Sequence, residues 1–156
     1  MEQFFSLYGG VIIKLLLAVL LGSLIGMERT IAGKEAGMRT YALVSMGSCL
    51  FVLISELLRP DFASLPGFNP VMIASQIIVG IGFIGAGLII FQGNSVHGLT
   101  TAAGLWVAAG LGTAIGFGLY MPALLAALFT IFIFSGLWWV ERMVSPGIVP
   151  EKVSKE

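Results

Sequence analysis

The segment "GSLIGMERTIAGKEAGMRTYALVSMGS", Gly22 to Ser48, sets an apolar run, a charged stretch and a second apolar run in succession. The chain of 156 residues carries eight basic and eight acidic side chains, and five of these sixteen fall here: Glu28, Arg29, Lys34, Glu35 and Arg39. The predominantly apolar sequence on either side is long enough to cross a hydrocarbon core of roughly 30 Å. The segment therefore reads as a membrane helical hairpin whose turn reaches water.

Composition agrees with that reading. Hydrophobic residues make up 58% of the chain and charged residues 10%, with a mean hydropathy of +1.02, whereas soluble domains carry about a quarter charged residues. The formal net charge is zero, so lipid is an expected partner and nucleic acid is not. Cys49 is the single cysteine, which excludes an internal disulfide and a cysteine-rich metal site. Its expected role is that of a small buried apolar side chain. The N-terminus "MEQFFSLYGG" lacks a basic leader, and Lys14 interrupts the apolar run behind it. The first helix is therefore predicted to be retained and not cleaved as a signal peptide.

Uncharged length predicts five spans: about Gly10 to Met27, Thr40 to Ser55 or Leu58, Val71 to Phe91, Leu99 to Phe117 and Pro122 to Val140. Helix is the required state, because lipid offers no partner to free amide groups and the runs are too long for barrel strands. The predicted fold is an all-α integral membrane protein, with a five-helix domain over residues 1–142 and a short tail over 143–156. Arg29, Lys34, Arg39, Arg142, Lys152 and Lys155 fall on one side, and Arg59, with Lys14 if it reaches outward, on the other. The first loop and the C-terminus are thus predicted to be cytoplasmic and the N-terminus outside. Trp138 and Trp139 fit an interfacial anchor at the end of span five.

Small residues suggest which helices meet. Gly104, Ala108, Gly112 and Gly116 recur every four positions on span four, and Ala18, Gly22 and Gly26 do so on span one. Such stripes let backbones approach closely. With Gly80, Gly82, Gly85 and Gly87 on span three, the expectation is a tight centre of spans one, three and four. Span five, with Phe129, Phe132 and Phe134, is expected to face lipid or a second subunit. "GIGFIG" (Gly80 to Gly85) matches a dinucleotide-binding fingerprint, but it lies inside a continuous apolar run without the strand, turn and acidic residue that such a site needs. A short internal repeat is also visible. "GMRTYA" (Gly37 to Ala42) and "GLTTAA" (Gly98 to Ala103) each open a helix after a predicted cytoplasmic loop, and each follows a helix expected to end in Ile-Gly (Ile25-Gly26, Ile84-Gly85). This arrangement suggests parallel repeats.

Three blocks together, Gly22 to Ser48, "GIGFIGAGLII" (Gly80 to Ile90) and "GLTTAAGLWVAAGLG" (Gly98 to Gly112), resemble the signature blocks of the MgtC/SapB family of bacterial inner-membrane proteins. The resemblance covers about Ile12 to Gly118. It implies a five-helix membrane domain, a role in adaptation to low magnesium and to the phagosome, and action by binding other membrane proteins, notably the rotary ATP synthase. Several members carry a soluble C-terminal domain, whereas about fourteen residues follow Arg142 here.

The polar candidates gather at the predicted cytoplasmic face: Glu28, Arg29, Lys34, Arg39, Thr40, Asn94, His97, Thr100 and Thr101. Charges at this depth call for partners, and a Glu28–Arg39 bridge fixing the first hairpin is the expected pairing. The simpler alternative is a solvated loop obeying charge bias. In "QGNSVHGLTT" (Gln92 to Thr101), Asn94 and Ser95 are expected to cap span four. The other reading joins two helix N-termini with Arg29, Lys34 and Arg39 into an anion or anionic-lipid site. His97 alone is a poor metal site. Glu56 and Arg59 are expected to pair at the outer edge.

These features favour a regulatory protein working through helix contacts with a membrane-protein partner, or with a second copy of itself. The alternative is a transporter or channel for magnesium or another cation. Mg²⁺ prefers carboxylates and keeps several waters, yet spans three, four and five contain no acidic residue before Glu141. No enzyme, cofactor or metal site is expected, since one histidine and no carboxylate pair within a span leave little for catalysis.

Overall fold

The computed structural model describes residues 2–62, 69 and 71–144, with side chains for all of these except 2–7, 61, 62, 141 and 142. Five helical segments are long and apolar enough to cross a membrane: Tyr8–Ile31, Met38–Pro60, Val71–Leu88, Leu99–Gly116 and Tyr120–Val140. They belong to α1 (Glu2–Ile31), α2 (Met38–Phe62), α3 (Val71–Leu88), α4 (Leu99–Gly116), and α5 (Tyr120–Phe132) with its continuation. That continuation is a π-helical turn, Ile133–Leu137, leading into α6 (Trp138–Val144). Lys152 and Lys155, most of the predicted tail, and the side chains of Asp61, Glu141 and Arg142 lie outside the described residues.

The tight centre consists of α1, α2 and α4, not α1, α3 and α4. The three pack against one another, and the small-residue stripes of α1 and α4 both press on the inward face of α2. A Cβ added at Gly22 would meet the Tyr41 carbonyl at 2.7 Å, and one at Gly26 would meet Met38 Cα at 2.6 Å. From α4, a Cβ at Gly112 would strike the Ser45 carbonyl, and one at Gly116 would meet Val52 Cβ at 2.6 Å. Ala18 and Ala108 are buried in the same layers. Membrane helices gain association from such van der Waals contact, because lipid is as apolar as the side chains that helices bury.

α3 packs on the flank of α4, and only its Ile81 and Gly85 are buried. Gly85 meets α4 in ordinary contact, 3.6 Å from Ala102 Cβ. Gly80, Gly82 and Gly87 have no neighbour within 4 Å, so the expected packing role of Gly82 is corrected. The sequence cannot reveal this, because a glycine stripe shows that close approach is possible but not which partner makes it.

Two polar devices close the end of the bundle remote from the first loop. Lys14 Nζ donates to the Gly116 carbonyl at 2.8 Å, capping the C-terminus of α4 from α1, where a cation also suits the helix dipole. Gly118, at φ +78°, turns the chain into α5, and its amide donates to the Ile115 carbonyl at 2.9 Å. The expected Glu56–Arg59 pair is present at 3.4 Å and largely exposed on the arginine side.

One element departs from the all-helical expectation. "QGNSVHG" does not cap α4 through Asn94 or Ser95. It forms an antiparallel hairpin, β1 (Ile90–Gln92) with β2 (Ser95–His97), turning at Gly93 and Asn94. Gly93 has φ +59° at the first central position, where a two-residue hairpin turn favours glycine. α4 starts instead from Gly98, with no side-chain cap.

The same substitution at two glycines should separate centre from flank. Gly112→Ala is expected to lower thermal stability in detergent by about 3 kcal/mol, since a backbone carbonyl must move. Gly80→Ala should leave it unchanged or raise it by up to ~1 kcal/mol. Unfolding followed by circular dichroism checks both, and equal effects would contradict the packing described.

Candidate functional site at the first-loop end

α1 ends, α2 begins, α3 ends and α4 begins at one end of the bundle, and α6 returns to it. Chain alternation alone therefore brings the charged block, the hairpin and the start of α4 together. Within that end the structure selects a smaller set of residues.

Arg29 lies in the last turn of α1 yet is 4% exposed. Its Nε donates to the neighbouring Glu28 Oε2, and its guanidinium stacks on the Phe134 ring, with Cζ 3.7 Å from the ring centroid. The expected Glu28–Arg39 bridge is thus replaced by Glu28–Arg29. Arg39 sits at the start of α2 with its side chain exposed, where water satisfies it without a partner. A guanidinium withdrawn from water needs both a counter-charge and further contacts, and Arg29 has a carboxylate along one edge and an aromatic face against its plane.

Phe134 reaches Arg29 from the inner face of span five. Phe129 and Phe132 are exposed as expected, whereas Phe134 continues the inward row of Ala123, Ala127 and Thr130 at helical spacing and is buried at the start of the π turn. The expectation that all three rings face outward is therefore corrected for Phe134. Single π turns inside α-helices are frequent at functional sites.

Gly104 supplies the space in which the rings meet. A Cβ there would strike the Tyr41 hydroxyl and come within 2.6 Å of Phe134 Cζ. Tyr41 is fully buried and donates its hydroxyl to the Thr101 carbonyl at 3.2 Å. Thr101 is also buried, and its Oγ1 donates to Glu35 Oε2 at 3.5 Å. A continuous set of contacts thus runs Glu28–Arg29–Phe134–Gly104–Tyr41–Thr101–Glu35, crossing α1, span five, α4, α2 and the first loop. Tyr41 and Thr101 lie within "GMRTYA" and "GLTTAA", so the two copies of the short repeat touch each other at the helix starts they open.

Thr30 secures the hairpin below this set. Its hydroxyl donates to the Gly26 carbonyl at 3.0 Å and accepts from the Met38 amide at 3.0 Å, so the end of α1 caps the start of α2. The first loop is tightened by the Lys34 amide donating to the Arg29 carbonyl at 3.0 Å.

Of the sequence candidates, Glu28, Arg29 and Thr101 belong to the connected set. Lys34, Arg39 and Thr100 are exposed at the same end, Asn94 and His97 are exposed on the hairpin, and Thr40 is half-buried in the first turn of α2. The three cations of the proposed anion site do not converge, because Arg29 is turned inward. Tyr41, Phe134, Glu35 and Thr30 are site residues that sequence reasoning misses. Glu35 and Thr30 stand within the charged block, Tyr41 is marked only by its place in the repeat, and Phe134 only by continuing the helical spacing of Ala123, Ala127 and Thr130. Among the described residues no group of three or more His, Cys, Asp or Glu gathers in a metal-binding arrangement.

Removing one member should expose the coupling. Arg29→Ala leaves the Glu28 carboxylate without its partner and is expected to destabilise the protein by about 3 kcal/mol. Glu28→Ala/Arg29→Ala together should lose less than the sum of the single changes. Phe134→Leu should remove about 1–2 kcal/mol when Arg29 is present and markedly less in the Arg29→Ala background. Thermal unfolding of the set measures each value, and simple additivity would refute the contact.

The MgtC family model matches residues 15–143. "Putative magnesium transporter YhiD" of Escherichia coli K12 is 44% identical over 124 residues, covering 78% of this chain and 58% of that protein. Protein MgtC of Salmonella typhimurium LT2 is 49% identical over 92 residues, covering 59% and 37% respectively. Protein SapB of Bacillus subtilis 168 is 38% identical over 145 residues, covering 91% and 62%. The chain thus spans roughly two-fifths to three-fifths of the length of these relatives. No solved structure matches. Five spans and a match running across nearly all of them lead to one conclusion: the chain is a multi-pass protein of the bacterial inner membrane and belongs to the MgtC family.

Proposed function

We propose that this protein binds and modulates another membrane complex, such as the rotary ATP synthase, in adaptation to low magnesium or phagosomal stress. The observation that carries this reading is where the polar groups lie. The ionic set occupies the first-loop end, Lys14 is spent on capping α4 at the other, and glycine-to-backbone contacts fill the middle between α1, α2 and α4. A hydrated Mg²⁺ needs room for its waters and carboxylates to replace them, and neither fits beside Gly22 or Gly112. The surface offered to a partner is instead apolar and peripheral, along α3 and the outer side of span five, where a second copy would also fit.

The same reading orients the protein. The first loop, the hairpin and the C-terminus lie in the cytoplasm and the N-terminus outside, because Arg29, Lys34 and Arg39 favour the inner side. Exposed Lys34 and Arg39 then face the anionic headgroups of that leaflet.

Cation transport is the second reading. α2 turns Tyr41, Ser45, Ser48 and Ser55 inward, and the buried Ser45 and Ser55 hydroxyls have no partner among the described residues. One relative also carries a transporter name.

Two measurements on the same preparation separate the readings. Crosslinking in native membranes followed by purification is expected to recover a respiratory or ATP synthase complex. Vesicles containing the purified protein should show no Mg²⁺ flux above protein-free vesicles. Flux that disappears on Glu28→Ala would overturn the regulatory reading in favour of transport.

A further inference from the structure

We propose that the β1–β2 hairpin is an interfacial anchor: Phe91 and Val96 enter the boundary between headgroups and acyl chains of the bilayer that the helices cross, while Gln92, Ser95 and His97 stay in water. The proposal rests on the membrane-spanning fold and is independent of whether the protein regulates or transports.

Register divides the hairpin into two faces. Residues directly opposite in an antiparallel pair share a face, and neighbours along a strand alternate. Phe91 pairs with Val96 on one face, whereas Gln92 with Ser95 and Ile90 with His97 occupy the other. The first face is wholly apolar and open, with Phe91 74% and Val96 48% exposed. The second is polar except for Ile90, at the base next to the end of α3.

Position fixes what the apolar face meets. Phe91 is only three residues beyond Leu88, the last residue of a membrane-spanning helix. At ~3.3 Å per residue in a strand, it lies within about 10 Å of that helix end. The headgroup region on each side of the hydrocarbon core is about 5–8 Å deep, so this distance keeps Phe91 at or beside it. The base cannot swing away, because Gly98, at φ +81°, packs its bare Cα against the Leu88 carbonyl and pins the exit of α3 to the start of α4.

Charge and stability point the same way. Residues 89–98 contain no Asp, Glu, Lys or Arg, whereas the first loop at the same end holds Lys34 and Glu35 with Arg39 close behind. An isolated two-stranded hairpin is marginal in water, and every residue of these two strands is exposed. Aromatic and aliphatic side chains at headgroup depth supply the missing burial. Unpaired strand edges exclude deeper insertion, because hydrocarbon cannot satisfy their amides. The hairpin therefore lies along the surface with its edges reachable by water.

Site-directed spin labelling tests this directly. In a Cys49→Ala background, Phe91→Cys, Val96→Cys, Gln92→Cys and Ser95→Cys are each labelled with a nitroxide. The proteins are reconstituted in phosphatidylethanolamine–phosphatidylglycerol vesicles, and accessibility to oxygen, which concentrates in lipid, is compared with that to a water-soluble nickel chelate. The oxygen-to-nickel ratio is expected to be several-fold higher at 91 and 96 than at 92 and 95. Equal ratios at all four positions would overturn the proposal, as would exclusion of both reagents from 91 and 96, which would indicate protein cover. A second measurement uses Phe91→Asp/Val96→Asp, with intact helices verified by circular dichroism. Protease cleavage at the hairpin in vesicles should rise severalfold, and unchanged cleavage would count against the anchor.

Discussion

At Gly112 the Cα of α4 sits against the carbonyl of Ser45 with no room for a methyl group, and at Gly22 and Gly26 α1 does the same to neighbouring residues on the inward face of α2. A membrane helix gains little from hiding leucines from lipid, so α2 is held by close backbone contact instead. The rest of the arrangement follows from that clamp. α4 becomes the most enclosed helix, Tyr41, Ser45, Ser48 and Ser55 of α2 turn inward, and the starts of α2 and α4 come close enough for Tyr41 to reach the Thr101 carbonyl.

The clamp also explains how an arginine can be withdrawn from water at the end of α1. Thr30 and Gly26 fix the α1–α2 corner through short contacts to Met38, and this sets the direction in which Arg29 points. The inner face of span five then delivers Phe134 to the guanidinium face, while Gly104 leaves the space that the ring and Tyr41 share. Each step needs the previous one: without the close α2–α4 approach, Gly104 would have no Tyr41 ring to make room for.

Much of this is legible in the sequence. The five spans emerge within a few residues of their ends, because uncharged length is a coarse signal that tertiary packing does not override. The stripes on α1 and α4 read as packing surfaces, and so they are. Their common partner is not readable, since Gly80 and Gly82 of α3 look in sequence like Gly104 and Gly112 of α4, and only the arrangement of helices in three dimensions tells them apart. The charge block stands out as the centre of interest, but its pairing does not. Glu28 could reach either Arg29 or Arg39 by sequence separation, and the outcome depends on which side chain Phe134 covers. Phe134 shares the helical spacing of Ala123, Ala127 and Thr130, but beside Phe129 and Phe132 it reads as one more ring of a lipid face. The hairpin is hidden for a simpler reason, since Asn94 and Ser95 suit a helix cap and a turn equally well.

The three central helices and the periphery obey different constraints. Along the contact of α2 with α1 and α4, a single methyl group displaces a backbone, so these positions tolerate little change whatever the protein does. On the outer sides of α3 and span five the exposed residues are large and apolar, including Val79, Phe83, Phe129 and Phe132, and a change there meets lipid or another chain but no neighbour in this fold. The connected polar set joins the two regions, because Arg29 is tied to α1 on one side and to Phe134 of peripheral span five on the other. A displacement of span five by a bound partner would uncover the guanidinium face and leave Glu28 as its sole counterweight, a state that burial penalises. Of the contacts described, this one gives the outer surface its most direct energetic link to the core.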